Sequence, residues 1–210
     1  MQKLNETETR KLLIDPALEK AGWNFEYIKL EYGIQAKDYE FSDGEMKKDG
    51  KRKSKKKADY VLFHKEHYLA VIEAKANDKE SSEGLEQAKN YAKSLQTPFA
   101  FASNGKEFVL FQFNQDFKGG TFKKIKLEDF PSPDKLYENY KVWKNLKEDS
   151  ILKTKFDNTN IEKPLRYYQR VAVNETLAAV QKGAMRALLV LATGTGKTQV
   201  AYQIAHRLFN

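Results

Sequence analysis

The sequence predicts an α/β fold: a central mixed sheet flanked by helices, followed by the beginning of a second α/β unit. Three observations carry this. The chain opens on an amphipathic stretch, Asn5–Lys20. Two dense apolar runs, Tyr60–His64 and Tyr68–Ala74, have the turn Lys65-Glu66 between them. A short apolar run, Ala187–Leu191, leads into Gly194-Thr195-Gly196-Lys197-Thr198 and then a helical pattern.

Asn5 can cap the first helix, with Glu8 three residues on, and Leu12, Leu13, Ala17 and Leu18 keep helical spacing. Gly22 ends it. Trp23, Phe25 and Tyr27 alternate, which predicts a strand over Asn24–Leu30. The polar stretch from about 35 to 57 reads as loop. The runs 60–64 and 68–74 form a hairpin, and being apolar on both alternations they are expected as central strands. Ser81 or Ser82 caps a helix through about Leu95, and Pro98 stops it. Phe99–Ser103 and Glu107–Phe113 are strands about an Asn104-Gly105 turn. Residues 133–147 form a helix rich in Tyr137, Tyr140 and Trp143. Residues 148–163 are polar and precede Pro164, so they are read as a linker. Tyr167–Gln181 is helical, Ala187–Leu191 a strand, and a helix starts at Lys197. The expected organisation is a first domain over 1–147, a linker over 148–163 and an incomplete second domain over 164–210.

Composition excludes several classes. No apolar run approaches the roughly 20 residues of a membrane span, and Met1–Glu6 lacks the apolar core of a signal peptide. Cysteine is absent, which rules out disulfides and thiolate metal sites and fits a cytoplasmic protein. The net charge is +8. Residues 46–57 alone hold eight basic side chains and one acid, a local +7. The basic balance is therefore one segment, either a solvated loop or a flap in which Lys51, Arg52, Lys53, Lys55 and Lys56 contact DNA phosphates.

Asp59 opens one strand, and Glu73 and Lys75 lie two apart on the next, so they face the same side. Hairpin register can bring Asp59 beside Glu73. Charges at the end of a core-like strand are costly unless partnered. Two carboxylates and a cation suit Mg²⁺-assisted cleavage of a phosphodiester. A Glu73–Lys75 salt bridge is the plainer alternative. Gln87 and Tyr91, at i and i+4, share one face of the following helix. His64, His67 and His206 lack zinc-site spacing and are assigned no chemistry.

These residues resemble the PD-(D/E)xK nuclease superfamily in its RecB-like branch. The closer resemblance, over essentially the whole chain, is to the restriction (R) subunit of type I restriction–modification enzymes. Asn5-Glu6-Thr7-Glu8-Thr9-Arg10, Leu13-Ile14-Asp15-Pro16-Ala17-Leu18 and Gly22-Trp23 look like that family's first helix. Ala58-Asp59-Tyr60-Val61-Leu62 matches its metal-binding Asp, with Ala58 where the family's nominal Pro stands. Glu73-Ala74-Lys75 matches its Glu-x-Lys, Gln87 and Tyr91 its later motif, and Ser103-Asn104-Gly105 the turn after the next strand. The resemblance implies that Asp59 and Glu73 bind Mg²⁺, that Lys75 orients or activates the water, and that Gln87 and Tyr91 support the site or touch DNA. Glu6 or Glu8 adds a ligand or holds Lys75; Glu6 can also pair with Arg10.

Thr193-Gly194-Thr195-Gly196-Lys197-Thr198, between an apolar run and a helix, has the context of a phosphate loop. Backbone N–H groups and a helix N-terminus suit phosphates, Lys197 reaches the β- and γ-phosphates, and Thr198 holds Mg²⁺. The strict pattern wants Gly at the position of Leu191, a departure that helicase-type motors share. Pro164-Leu165-Arg166-Tyr167-Tyr168-Gln169 resembles the adenine-reading segment of superfamily 2 helicases, with Gln169 on the adenine edge. The second unit is thus expected to begin a RecA-like motor.

The resemblance implies an ATP-dependent, DNA-translocating endonuclease of prokaryotic cytoplasm, cutting double-stranded DNA with methyltransferase (M) and specificity (S) subunits as partners and no membrane. The 210 residues alone are expected to lack ATPase activity, because a motor needs further acidic and arginine partners. Two alternatives stand beside this: another nuclease–helicase fusion, and a non-catalytic DNA-binding or assembly module.

Overall fold

The computed structural model describes residues 3–34, 40–42, 45–47, 56–146, 154–159 and 164–209. Helix α1 is three joined pieces: an α-turn Glu6–Thr9, a π-helical turn Arg10–Ile14 and an α-segment Asp15–Lys20. Asn5 and Glu8 form the expected capping box. Gly22 and Trp23 close the far end by donating to Glu19 and Leu18. The strands are β1 (Ile28–Ile34), β2 (Glu40–Ser42), β3 (Glu45–Lys47), β4 (Lys56–His64), β5 (His67–Ala74), β6 (Phe99–Ser103), β7 (Glu107–Phe113) and β8 (Gly120–Lys126). The later helices are α2 (Leu85–Ser94), α3 (Pro133–Lys144), α4 (Tyr167–Gln181) and α5 (Lys197–Phe209).

One six-stranded mixed sheet runs β1-β4-β5-β6-β7-β8, and β2 pairs β3 separately. β5 and β6 are parallel and every other neighbour in the large sheet is antiparallel. Parallel neighbours need a crossover, which α2 supplies. β4 and β5 are central, as their two-sided apolar pattern requires. Alternate residues feed two cores. Tyr60, Leu62, Ala70 and Ile72 pack with Ile14 and Leu18 of α1 and Leu136, Tyr137 and Tyr140 of α3. Val61, Val71, Ala100 and Ala102 pack with Leu85, Ala88, Tyr91 and Ala92 of α2. The result is a sheet covered on both faces. No described helix is long and apolar enough to cross a membrane.

Several expectations need correction. The strand after Gly22 begins at Ile28, not Asn24: Asn24 makes a turn, accepting from Glu26 N–H on its side chain and from Tyr27 N–H on its carbonyl, and Phe25 is exposed. The stretch read as loop holds the β2–β3 hairpin, and β4 starts within it, with Lys56 and Lys57 paired to Ile34 and Gly33. Lys51, Arg52, Lys53 and Lys55 lie outside the described residues. The helix expected from Ser81 or Ser82 starts at Leu85 behind Gly84, and Ser81 donates instead to Glu107. β8 has no counterpart among the expected strands. The run 187–191 is not a strand, because a strand exists only by pairing and no described strand lies beside it; Leu188 and Val190 are exposed.

A third core joins α4 and α5 through Val173, Leu177 and Val200, and it takes in Phe156 from the expected linker. The guanidinium groups of Arg170 and Arg207 each lie over the Phe156 ring, 4.6 Å from its centroid. The Lys65-Glu66 turn touches this unit. Both residues have positive φ (47° and 65°), the geometry of a tight two-residue hairpin turn. Glu66 pairs with Arg170 at 2.9 Å, and its carbonyl accepts from Asn174 at 2.9 Å.

Candidate active site

The β4–β5 hairpin brings the three charged residues of the first motif together. Tyr60 pairs with Ile72, so Asp59 and Glu73 come one step further along the same antiparallel ladder. The Asp59 N–H donates to Glu73 Oε1 at 3.2 Å, and the Ala74 N–H donates to Asp59 Oδ2 at 2.8 Å. Each carboxylate is thus held by the other strand's backbone. Lys75 follows at the strand end, with Nζ 3.5 Å from Glu6 Oε2 of α1. Glu8 is committed to the cap of α1. Of the two acids considered, Glu6 is the one at Lys75.

Burial sets the electrostatics. Glu73 is 1% exposed. Burial, and then the charge of Asp59, push its carboxyl up to about 8. Burial also raises Asp59, opposed by the Ala74 N–H and Arg10. Tyr91 borders the pair: burial first and the Glu73 charge second raise its hydroxyl, which donates to the Lys57 carbonyl at 3.2 Å. Gln87 Nε2 donates to that hydroxyl at 3.4 Å.

Two adjacent carboxylates largely withdrawn from water repel each other unless a cation sits between them. Their hard oxygens fit Mg²⁺. Among the described residues no three or more His, Asp or Glu side chains cluster as a metal cage. A metal here would rest on Asp59 and Glu73, with water and phosphate oxygens completing its shell, which is how Mg²⁺ is commonly bound.

Two participants are not evident in the sequence. Gly84, just before α2, lies so close to the site that a Cβ on it would come 2.9 Å from Glu73 Cβ and 3.5 Å from Lys75 Cε. Arg10, expected only as a partner for Glu6, instead has Nη1 3.5 Å from Asp59 Oδ1. A glycine needed for close approach leaves no local signal, and neither does a helix irregularity.

The second motif forms a loop closed on itself. Gly194 and Gly196 have φ of 77° and 84°. Lys197 Nζ donates to the Leu191 and Ala192 carbonyls at 3.2 and 3.4 Å. Gln169 bridges α4 to the loop: its Oε1 accepts from Arg166 N–H at 2.8 Å, and its Nε2 donates to the Thr195 carbonyl at 3.0 Å. A Cβ on Gly196 would fall 2.4 Å from Gln169 Nε2, so only glycine permits this contact. Both ends of the Gln169 amide are engaged with protein here rather than held open. Thr193, on the loop, and Thr198, in the first turn of α5, are exposed.

Known proteins are similar to this chain in sequence and in fold. The family model described as "Type I restriction enzyme R protein N terminus" matches residues 3–119. The model "Type III restriction enzyme, res subunit" matches residues 162–210. The endonuclease subunit of the Escherichia coli type I restriction enzyme EcoAI is 39% identical over 217 residues, covering 100% of this chain and 26% of that protein. The corresponding EcoKI subunit of strain K12 is 26% identical over 263 residues, covering 98% of this chain and 21% of its own length. This chain therefore spans about a quarter of these relatives. A fragment structure described as an HsdR subunit of a type I restriction enzyme from Vibrio vulnificus YJ016 superposes with a TM-score of 0.81 at 30% identity, covering 100% of this chain and 39% of that one.

Proposed function

The chain belongs to the type I restriction enzyme R protein family, and we propose that it carries the Mg²⁺-dependent DNA-cleaving centre of an ATP-driven restriction endonuclease. Its relatives are endonuclease subunits of restriction enzymes. The observation that carries the proposal is the meeting of Asp59, Glu73 and Lys75 at one end of two central strands.

In this reading Asp59 and Glu73 hold the cation through their carboxylate oxygens. Mg²⁺, when bound, polarises the scissile phosphate and makes its water a better nucleophile. Lys75, steadied by Glu6, puts a positive charge where the attacking water and the developing phosphorane charge lie. Tyr91, steadied by Gln87, anchors the opening of β4 through the Lys57 carbonyl. The basic segment around Lys51, Arg52, Lys53, Lys55 and Lys56 contacts the DNA backbone. Residues 164–210 begin the motor, where Thr193–Thr198 take the phosphates of ATP and Gln169 exchanges its loop contact for the adenine edge. The whole enzyme acts on double-stranded DNA in a prokaryotic cytoplasm with methyltransferase and specificity subunits.

The test is made in the full-length enzyme with its partner subunits. Asp59→Ala, Glu73→Ala and Lys75→Ala should each lower DNA cleavage by at least about 100-fold, since each removes a metal ligand or the charge at the reacting phosphate. ATP hydrolysis should continue, because Lys197 and Thr198 lie elsewhere. Normal cleavage by the Lys75→Ala enzyme would refute the proposal.

A further inference from the structure

Arg10 sits where α1 departs from α geometry. The Asp15 N–H donates to the Arg10 carbonyl, closing a turn of five residues instead of four. In a regular α-helix residues five apart point about 140° away from each other. The wider π-turn brings Arg10 and Asp15 to one side, and both reach the hydroxyl of Tyr60. That hydroxyl donates to Asp15 Oδ1 at 2.7 Å and accepts from Arg10 Nε at 3.4 Å. The guanidinium also lies over the Tyr60 ring, 4.9 Å from its centroid. Tyr60 is fully buried, so this anchor is fixed. From it, Arg10 reaches Asp59 Oδ1. Asp59 Oδ2 is already taken by the Ala74 N–H, so both carboxylate oxygens have a donor of defined direction. Single π-turns are rare and recur at functional sites.

We infer that Arg10 is a positioning residue of the nuclease centre: the π-turn, with Asp15 and Tyr60, aims its guanidinium at Asp59 and fixes the orientation in which Asp59 shares a divalent cation with Glu73. The inference rests on the proposed function. It makes a prediction that simple electrostatics opposes. A cation beside a metal site repels the metal, so removing the charge alone would tighten metal binding. Losing the orientation of Asp59 weakens it.

The experiment is Mn²⁺ binding by the full-length subunit without nucleotide, followed by electron paramagnetic resonance. Asp59→Asn should abolish the binding assigned to this centre. Arg10→Gln should weaken it about 10-fold, the lower end of what groups that orient metal ligands contribute. Tyr60→Phe, which changes no charge, should weaken it in the same direction. Arg10→Lys, which keeps the charge but not the forked geometry, should recover part of the loss. ATP turnover at the parental rate controls for folding. Parental or tighter Mn²⁺ affinity in either Arg10→Gln or Tyr60→Phe overturns the positioning role and leaves the metal centre standing. Parental affinity in Asp59→Asn overturns the metal centre itself.

Discussion

Glu73 shows how one buried side chain can work against the fold that holds it. Its carboxyl is pushed up to about 8, whereas in an unfolded chain it titrates near the ordinary 4.5. Between those values the native state binds a proton that the unfolded state has released. Its contribution to stability is therefore full below about pH 4.5, declines as pH rises and is lost above about 8. A tenfold difference in proton affinity is worth about 1.4 kcal/mol, so across this window the effect amounts to a few kcal/mol. Glu73→Gln keeps the shape and cannot ionise. Measured in chelator, it should melt close to the parent at pH 5 and several degrees above it at pH 9. Parallel melting curves across that range would show that Glu73 titrates normally. Asp59, Glu73 and Lys75 were legible in the sequence because charges ending an apolar strand are expensive there. Arg10 was not, because its direction depends on five residues closing a turn that four usually close.

At the scale of elements, the approach of α2 to β5 sets capping against packing. Gly84 caps α2 with no side-chain hydrogen bond, which on capping grounds alone ranks a little below serine. Serine would gain a few tenths of a kcal/mol as a cap. It would also bring a Cβ to 2.9 Å from Glu73 Cβ, and overpacking of this kind costs about 1–3 kcal/mol. The second effect wins, so Gly84→Ser should lower the melting temperature and reduce cleavage by displacing Glu73. A more stable Gly84→Ser protein would show that helix and strand have room to part. Element reading from sequence succeeded where local chemistry decides, as in the Asn5–Glu8 capping box and the apolar β4–β5 pair. It failed where pairing decides. β8, with Lys123, Lys124 and Lys126 on an outer strand, has little apolar pattern to betray it, and exposed lysines are what protect such an edge. Ala187–Leu191 has the pattern of a strand but no described neighbour.

Across the whole molecule, the sheet and the α4–α5 unit are joined in part through a few half-buried polar contacts. Lys144 of α3 makes a two-pronged ion pair with Glu175 of α4 at 2.6 and 2.7 Å. Glu66, in the turn joining β4 to β5, holds Arg170 and Asn174 of α4. Asn174 in turn accepts from buried Arg207 of α5 at 2.6 Å. Helix α4 thus touches the hairpin that bears Asp59 and Glu73 through Arg170, and the phosphate-type loop through the adjacent Gln169. Phe156 belongs to the core that joins α4 to α5, with the guanidinium groups of Arg170 and Arg207 over its ring, while Val171 of α4 is buried in the core on the α2 side of the sheet. Truncating a buried aromatic typically costs about 3–5 kcal/mol, and here it also uncovers two stacked guanidinium groups. Neither core of the six-stranded sheet includes Phe156, although Val171 of α4 adds to one of them. Phe156→Ala should therefore speed amide hydrogen exchange in α4 and α5 while β4–β7 keep their protection. Exchange rising equally in β5 and β6 would mean that the two units unfold as one, and that the boundary drawn at residues 148–163 separates nothing.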